Sequence, residues 1–262
     1  ASFVIVGFLI LHLGPRKRYD GQVFLAFPAV YAVVRFVLEF FRSDDRGGLL
    51  FLSTSQLIGQ PIVFENKLKK NEVVPEKKWS HTDGNIHLLF SGTLAPTTGV
   101  FTAIGLAKNL YKDSSRIRLH IVGFSPMQSV RQEIRREVHE HSFIEFEDCH
   151  QPVPHAEILR AIQKADAGII AYPPNPSTIN TIPTKLYEYL GYSLPILLID
   201  HPVWTKMCKP YPAAVTFDPA NHNSGLILDA LQDTRFYQIP ADIAFWESEE
   251  KKLLQSIAEE LK

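Results

Sequence analysis

From residue 86 onward the apolar positions fall into short runs at 86–91, 117–123, 143–146, 167–171, 194–199 and 213–217, separated by longer amphipathic stretches. Runs of this length, rich in Ile, Leu and Val and apolar at successive positions, predict strands buried on both faces. The stretches between them repeat their apolar residues at helical spacing and predict helices over 99–111, 126–140, 155–165, 183–192, 202–208 and 223–232. An amphipathic terminal helix is expected from about Asp242. Strands alternating with helices imply an α/β domain over 86–262, with a Rossmann-like parallel sheet and helices on both faces.

The first quarter of the chain reads differently. Residues 1–14 are almost purely apolar but would span only about 21 Å as a helix, short of a ~30 Å hydrocarbon core. Residues 21–41 are long enough to cross, and 54–64 begin a third apolar segment that stops at Glu65. Residues 1–64 carry ten of the 55 charged side chains and nine of the 17 Phe. The pattern predicts a short all-α membrane-helix segment over 1–64, with Arg16, Lys17 and Arg18 on the cytoplasmic side and the loop 42–53 opposite. A soluble amphipathic helix is the alternative for 21–41. Within it Arg35 and Glu39 stand four residues apart, so guanidinium and carboxylate share one face and partly neutralise each other. Residues 65–85, rich in Lys and Glu, then read as a polar linker whose lysines, Lys67, Lys69 and Lys70 among them, form a solvated charge run.

Composition adds exclusions. With 27 Lys+Arg against 28 Asp+Glu and a net charge of -1, the chain has no basic field for phosphate backbones, so nucleic acid is not an expected partner. Cys149 and Cys208 form no C-x-x-C pair and read as small buried residues of a reducing compartment. His139 and His141, two apart on a helix, diverge and do not pair as metal ligands, and no metal is expected. Asp148, Cys149 and His150 are adjacent and read as loop residues.

Ligands of such sheets bind beyond the carboxyl ends of the strands. Two loops there carry chemistry. Ser91-Gly92-Thr93-Leu94-Ala95-Pro96-Thr97-Thr98-Gly99 follows the first strand with small residues that let backbone amides approach a diphosphate, and Gly123 ends the second strand similarly. The stretch 172–196 holds a Pro-rich loop ending at Pro183 and a helix with Lys185 and Glu188 one turn apart. A cation suits a pyrophosphate, and a carboxylate suits vicinal ribose hydroxyls. A plain surface pair, and a turn that simply needs glycine, are the alternatives.

Two resemblances extend this reading. G-Q-V-F, R-F-V-L-E-F-F-R and S-Q-L-I-G-Q-P-I-V resemble the C-terminal helices of the prolipoprotein diacylglyceryl transferases, bacterial inner-membrane enzymes that move a diacylglyceryl group from phosphatidylglycerol to a lipoprotein cysteine. That resemblance implies that Arg35 and Glu39 face a lipid phosphate or head group. The family's other essential residues belong to earlier helices that have no counterpart in these residues. P-T-K-L-Y-E-Y-L-G-Y-S-L-P-I-L, the L-H-I-V-G strand and V-P-H-A-E-I-L-R-A-I-Q-K-A-D-A-G-I-I are similar to the donor-binding half of GT-B retaining glycosyltransferases. This second resemblance implies half of a GT-B fold and a nucleotide-sugar donor, as substrate rather than cofactor. It places the ribose on Glu188, the phosphates on Gly92 and Thr93, and the base near Val153–Glu157. The first Glu of the family's E-x7-E motif falls on Asn180, and the basic positions of its phosphate turn fall on Thr93 and Thr98. Catalytic residues and acceptor stay unassigned. The expectation is a membrane-associated glycosyltransferase-like domain facing the cytoplasm; the alternatives are a non-catalytic tether joining two truncated transferases, or a fragment of the lipid-modifying enzyme.

Overall fold

The computed structural model describes residues 64–73, 83–149, 151–173, 175, 179–220, 223–232, 235–250 and 252–255. The chain divides into a unit over Ala1–Val63 and a unit over Phe64–Lys262; the first lies outside the described residues, and with it Arg35 and Glu39. Among the described residues no helix is long and apolar enough to cross a membrane.

The second unit is built on six parallel strands: β1 Ile86–Thr93, β2 Ile117–Phe124, β3 Ile144–Cys149, β4 Ala167–Ile170, β5 Ile196–Ile199 and β6 Ala214–Phe217. Their spatial order is β3-β2-β1-β4-β5-β6. This is the doubly wound order, with its reversal at the β1–β4 boundary. All five neighbouring pairs run parallel, and β1 keeps register with β2 from Ile86↔Ile117 to Thr93↔Phe124. Five helices connect the strands, α1 Val100–Asp113, α2 Gln128–Glu140, α3 His155–Lys164, α4 Thr184–Gly191 and α5 Pro202–Cys208, and α6 Ser224–Leu231 follows β6.

Burial follows position in the sheet. β4 and β5 are buried at every residue, because each has a strand on both sides and helices over both faces. The outer strand β3 instead alternates, with Ile144 buried and Glu145 and Glu147 exposed. Arg118 and His120 on β2 are half-buried beside that face, and His120 Nε2 lies 3.1 Å from Glu147 Oε1. The sheet is therefore apolar on both faces at its centre and on one face toward β3. In α1 the buried Val100, Ala103, Ile104, Ala107 and Leu110 form one stripe at helical spacing. In α2 only Val130 and Ile134 are buried, Val138 is half-buried, and the other positions are polar or charged.

Two expectations change. The terminal helix begins later than Asp242: residues Asp242–Ala244 and Trp246–Ser248 form separate 3-10 turns with Phe245 extended between them, and helical backbone appears at 250 and 252–255. The cause is Leu68, whose N–H donates to Ala244 O at 3.1 Å and whose carbonyl accepts from Trp246 N at 2.7 Å. Those groups are committed to another segment and cannot close helical turns. The second change concerns Lys67. It does not belong to a solvated run, because its side chain is only 5% exposed and pairs with Glu249. Residues 64–73, the start of the stretch read as linker, are docked on the domain.

Candidate functional site

At the carboxyl edge of β1 and β2 the backbones draw unusually close. Gly92 faces Gly123 in register, and a Cβ on Gly123 would stand 1.9 Å from Gly92 O. Beyond them the chain folds into a tight turn. The Thr98 hydroxyl accepts from Ala95 N–H at 3.1 Å and donates to Thr93 O at 2.7 Å. Thr98 thus closes the turn internally, while Thr93 itself is exposed. Gly99 ends the turn with φ +82°, and a Cβ there would lie 1.8 Å from Ala171 O. Only glycine fits, since the left-handed backbone and the β4 end both exclude a side chain. The start of α1 is thereby pressed against the reversal point between β1 and β4.

Helix α4 brings the two charged residues to the same place. Pro183, with ψ 138°, precedes the first helical residue and turns the chain into the helix. Lys185 is 6% exposed and Glu188 7% exposed, so neither is a surface group. The Lys185 side chain runs beside Gly92, where an added Cβ would be 3.3 Å from its Cε. Its Nζ sits 4.0 Å from the centroid of Phe90 and 5.2 Å from that of Tyr172. Among the described residues this buried ammonium has no hydrogen-bond acceptor. Burial pushes its pKa down to about 7, against the opposing pull of the Glu188 carboxylate. A buried ammonium on ring faces, with its donors unused by the described residues, is suited to an anionic oxygen ligand. Glu188 Oε1 lies 2.9 Å from His155 Nε2. Burial and the Glu188 charge also raise the Tyr172 hydroxyl to about 12, so it is a neutral donor at physiological pH.

The structure therefore brings Gly92, Gly99, Gly123, Lys185 and Glu188 to one edge, at the point where the strand order reverses. Phe90, Tyr172 and His155 were missed in the sequence. Phe90 looks like any core strand residue, and Tyr172 like any residue of a Pro-rich loop. His155 had a usable signal: it opens α3 at the carboxyl end of β3, in the segment expected to border the base. The side chains at 148–150 lie outside the described residues. His141 turns toward Glu137, with Nε2 at 3.5 Å from Oε2. Lys108 Nζ donates to the same carboxylate at 3.0 Å. The Cys208 thiol is free and buried, and burial pushes it up to about 12.

A doubly wound parallel sheet with a buried lysine and a buried carboxylate at its switch point defines a Rossmann-like α/β domain. Residues 75–238, well over half of the chain, match the family described as glycosyl transferases group 1. The chain belongs to that family. Residues 1–66 match prolipoprotein diacylglyceryl transferase. Among curated relatives, phosphatidylglycerol–prolipoprotein diacylglyceryl transferase 2 of Clostridium perfringens is 34% identical over 79 residues, 28% of this chain and 31% of that protein. The corresponding transferase of Clostridium tetani is 37% identical over 54 residues, 21% of this chain and 22% of that protein. The chain thus spans less than a third of the curated relatives it matches.

Among solved structures, an α,α-trehalose-phosphate synthase (UDP-forming) from Burkholderia xenovorans, in complex with glucose-6-phosphate, superposes with a TM-score of 0.52. It shares 9% identity, over 67% of this chain and 44% of that one. A GtfA/B complex superposes with a TM-score of 0.50 at 13% identity, over 67% of this chain and 36% of that one. These likenesses establish the fold, that of one half of a GT-B glycosyltransferase.

Proposed function

We propose that the domain binds a nucleoside-diphosphate sugar at the β1–β4 switch point and presents it for glycosyl transfer. The observation that carries this reading is Lys185, a buried ammonium with no acceptor among the described residues, set beside the glycine turn that follows β1. In the proposed complex Lys185 and the amides of the 92–99 turn meet the diphosphate, with Gly92 and Gly123 allowing close approach. Glu188 accepts from the ribose hydroxyls, and His155 stands at the mouth beside it. As the bond between the anomeric carbon and the diphosphate oxygen breaks, its electron pair stays on the leaving diphosphate, and Lys185 neutralises that charge.

Titration of the full chain with UDP, GDP and ADP and their glucose conjugates tests the reading. One base series should raise the melting temperature at submillimolar ligand. At a hundredfold excess over Kd the stabilisation is about 2.7 kcal/mol, a shift of roughly 5–11 °C for a domain this size. No shift with any of them at millimolar concentration removes the donor site.

The match of residues 1–66 to a family of lipid-modifying transferases supports a further part of the same reading. The N-terminal segment ties the domain to a membrane, with Arg35 and Glu39 toward a lipid phosphate and the donor domain in the cytoplasm. The full chain expressed in bacteria should then pellet with membranes and be released by detergent. Release by carbonate or high salt alone would rule out an inserted segment.

A further inference from the structure

A stripe of α4 beside the one that carries Lys185 and Glu188 is gripped by a segment from the start of the unit. Asn66 Nδ2 donates to Thr184 Oγ1 at 3.3 Å. Lys67 Nζ stands 5.5 Å from the centroid of Tyr187, itself buried. Leu68, 4% exposed, packs on Gly191 so closely that a Cβ there would be 2.6 Å from Leu68 Cδ1. Thr184, Tyr187 and Gly191 are spaced by three and four residues and form one stripe of the helix. Lys185 and Glu188, one residue further on from the first two, form the stripe beside it.

The gripping segment is itself fastened. Lys67 pairs with Glu249, with side chains 5% and 8% exposed, and donates to Ser248 Oγ at 2.8 Å. Burial alone would raise the Glu249 carboxyl, but hydrogen bonds and charge from Lys67 and Lys252 hold it below the usual carboxylate range. The two backbone hydrogen bonds of Leu68 to Ala244 and Trp246, and the Phe64–Trp246 ring contact at 5.7 Å, complete the fastening.

We propose that residues 64–73 and 242–249 form a buckle that positions α4 for donor binding, with Lys67 and Leu68 as its positioning residues. The assignment rests on the donor-site reading for Lys185 and Glu188. Neither buckle residue touches the proposed donor; they act by fixing the face of α4 that carries those side chains. The chain enters the domain through this buckle, because the diacylglyceryl-transferase match ends at residue 66, between Phe64 and Lys67. The join of the two family segments is consequently a packed structural element. Burying a charged pair at such a join is costly unless its geometry is held, and breaking one partner leaves the other uncompensated.

The experiment uses the full chain and two readouts. One is affinity for UDP, GDP and ADP. The other is the pH midpoint of Lys185 acylation by an amine-reactive reagent, followed on the peptide that contains it. Lys67→Met and Leu68→Ala should weaken nucleoside-diphosphate binding about five- to twentyfold. They should also move the Lys185 midpoint upward, toward that of an exposed lysine, because a loosened α4 lets water reach the ammonium. Lys67→Arg should restore both, and Arg136→Ala, which removes an exposed pair with Glu133 on α2, outside the buckle, should change neither. A lower melting temperature with an unmoved midpoint and unchanged affinity would assign the buckle to stability alone and overturn the proposal. If Lys67→Met fails to fold, Leu68→Val and Asn66→Ala give the same comparison. If the unaltered chain binds no nucleoside diphosphate, the donor reading fails, and the midpoint comparison still decides whether the buckle sets the environment of Lys185.

Discussion

Replacing Lys185 by Met should make the ligand-free protein more stable while costing it one to two orders of magnitude in nucleoside-diphosphate affinity. The two effects have one origin. Burial holds the Lys185 pKa near 7, against an ordinary value of 10.5. The unfolded chain therefore carries the proton more readily than the folded one between pH 7 and 10.5. Folding stability rises with pH across that window, and the charged lysine costs most at or below pH 7. At 1.36 kcal/mol per pH unit the penalty is on the order of 5 kcal/mol, of which part returns as ring contacts to Phe90 and Tyr172. Met fills nearly the same volume without the charge, so its melting curve should be displaced upward most at pH 6 and converge with the parent toward pH 10. Binding should move oppositely, since a charge-assisted hydrogen bond to phosphate contributes about 1.5–3 kcal/mol. Affinity of the parent should also fall above pH 7, by up to tenfold per unit, as the ammonium loses its proton. The Met variant should lack that slope. A variant that binds as tightly as the parent, or that is destabilised at pH 6, would show that Lys185 is a packing residue.

The architecture of the second unit was largely legible because its strands are short apolar runs and its helices repeat at one period. The six strands lie within about three residues of where the runs place them. Their parallel order follows once each pair is separated by a helix, because right-handed crossovers leave few alternatives. What could not be read was commitment of backbone groups to distant partners. Residues 242–255 carry a helical pattern, yet helix appears only toward its end, at 250 and 252–255, because Leu68 takes the carbonyl of Ala244 and the amide of Trp246. Composition likewise misled at Lys67. A run of lysines among glutamates looks solvated, and nothing local announces that one of them will meet Glu249, 182 positions later. In the site, Lys185 and Glu188 were identifiable from their spacing and loop context, whereas the depth of their burial was not. That depth is what distinguishes a ligand-directed cation from the surface pair that the same i, i+3 spacing also describes.

Glu188→Ala should abolish discrimination between a ribonucleoside diphosphate and its 2′-deoxy counterpart. Glu188 is buried, and its Oε1 lies near His155, which leaves a carboxylate oxygen to accept from vicinal hydroxyls. The parent should prefer the ribo form by about tenfold, the contribution of one hydrogen bond to a charged acceptor at the lower end of its range. The Ala variant should bind the ribo form ten- to a hundredfold more weakly and the deoxy form with a smaller loss, bringing their ratio near one. Glu188→Gln keeps the shape and one acceptor oxygen, so it should retain part of the ratio. Both variants carry a second consequence. The Glu188 charge is the influence that raises Lys185 against its burial, so removing it lowers the pH at which Lys185 loses its proton. The decline in affinity with rising pH should therefore begin below 7 in either variant. A displaced pH profile with an intact ribo-to-deoxy ratio would mean that Glu188 serves only to keep Lys185 charged, and the ribose would have to be held by another group.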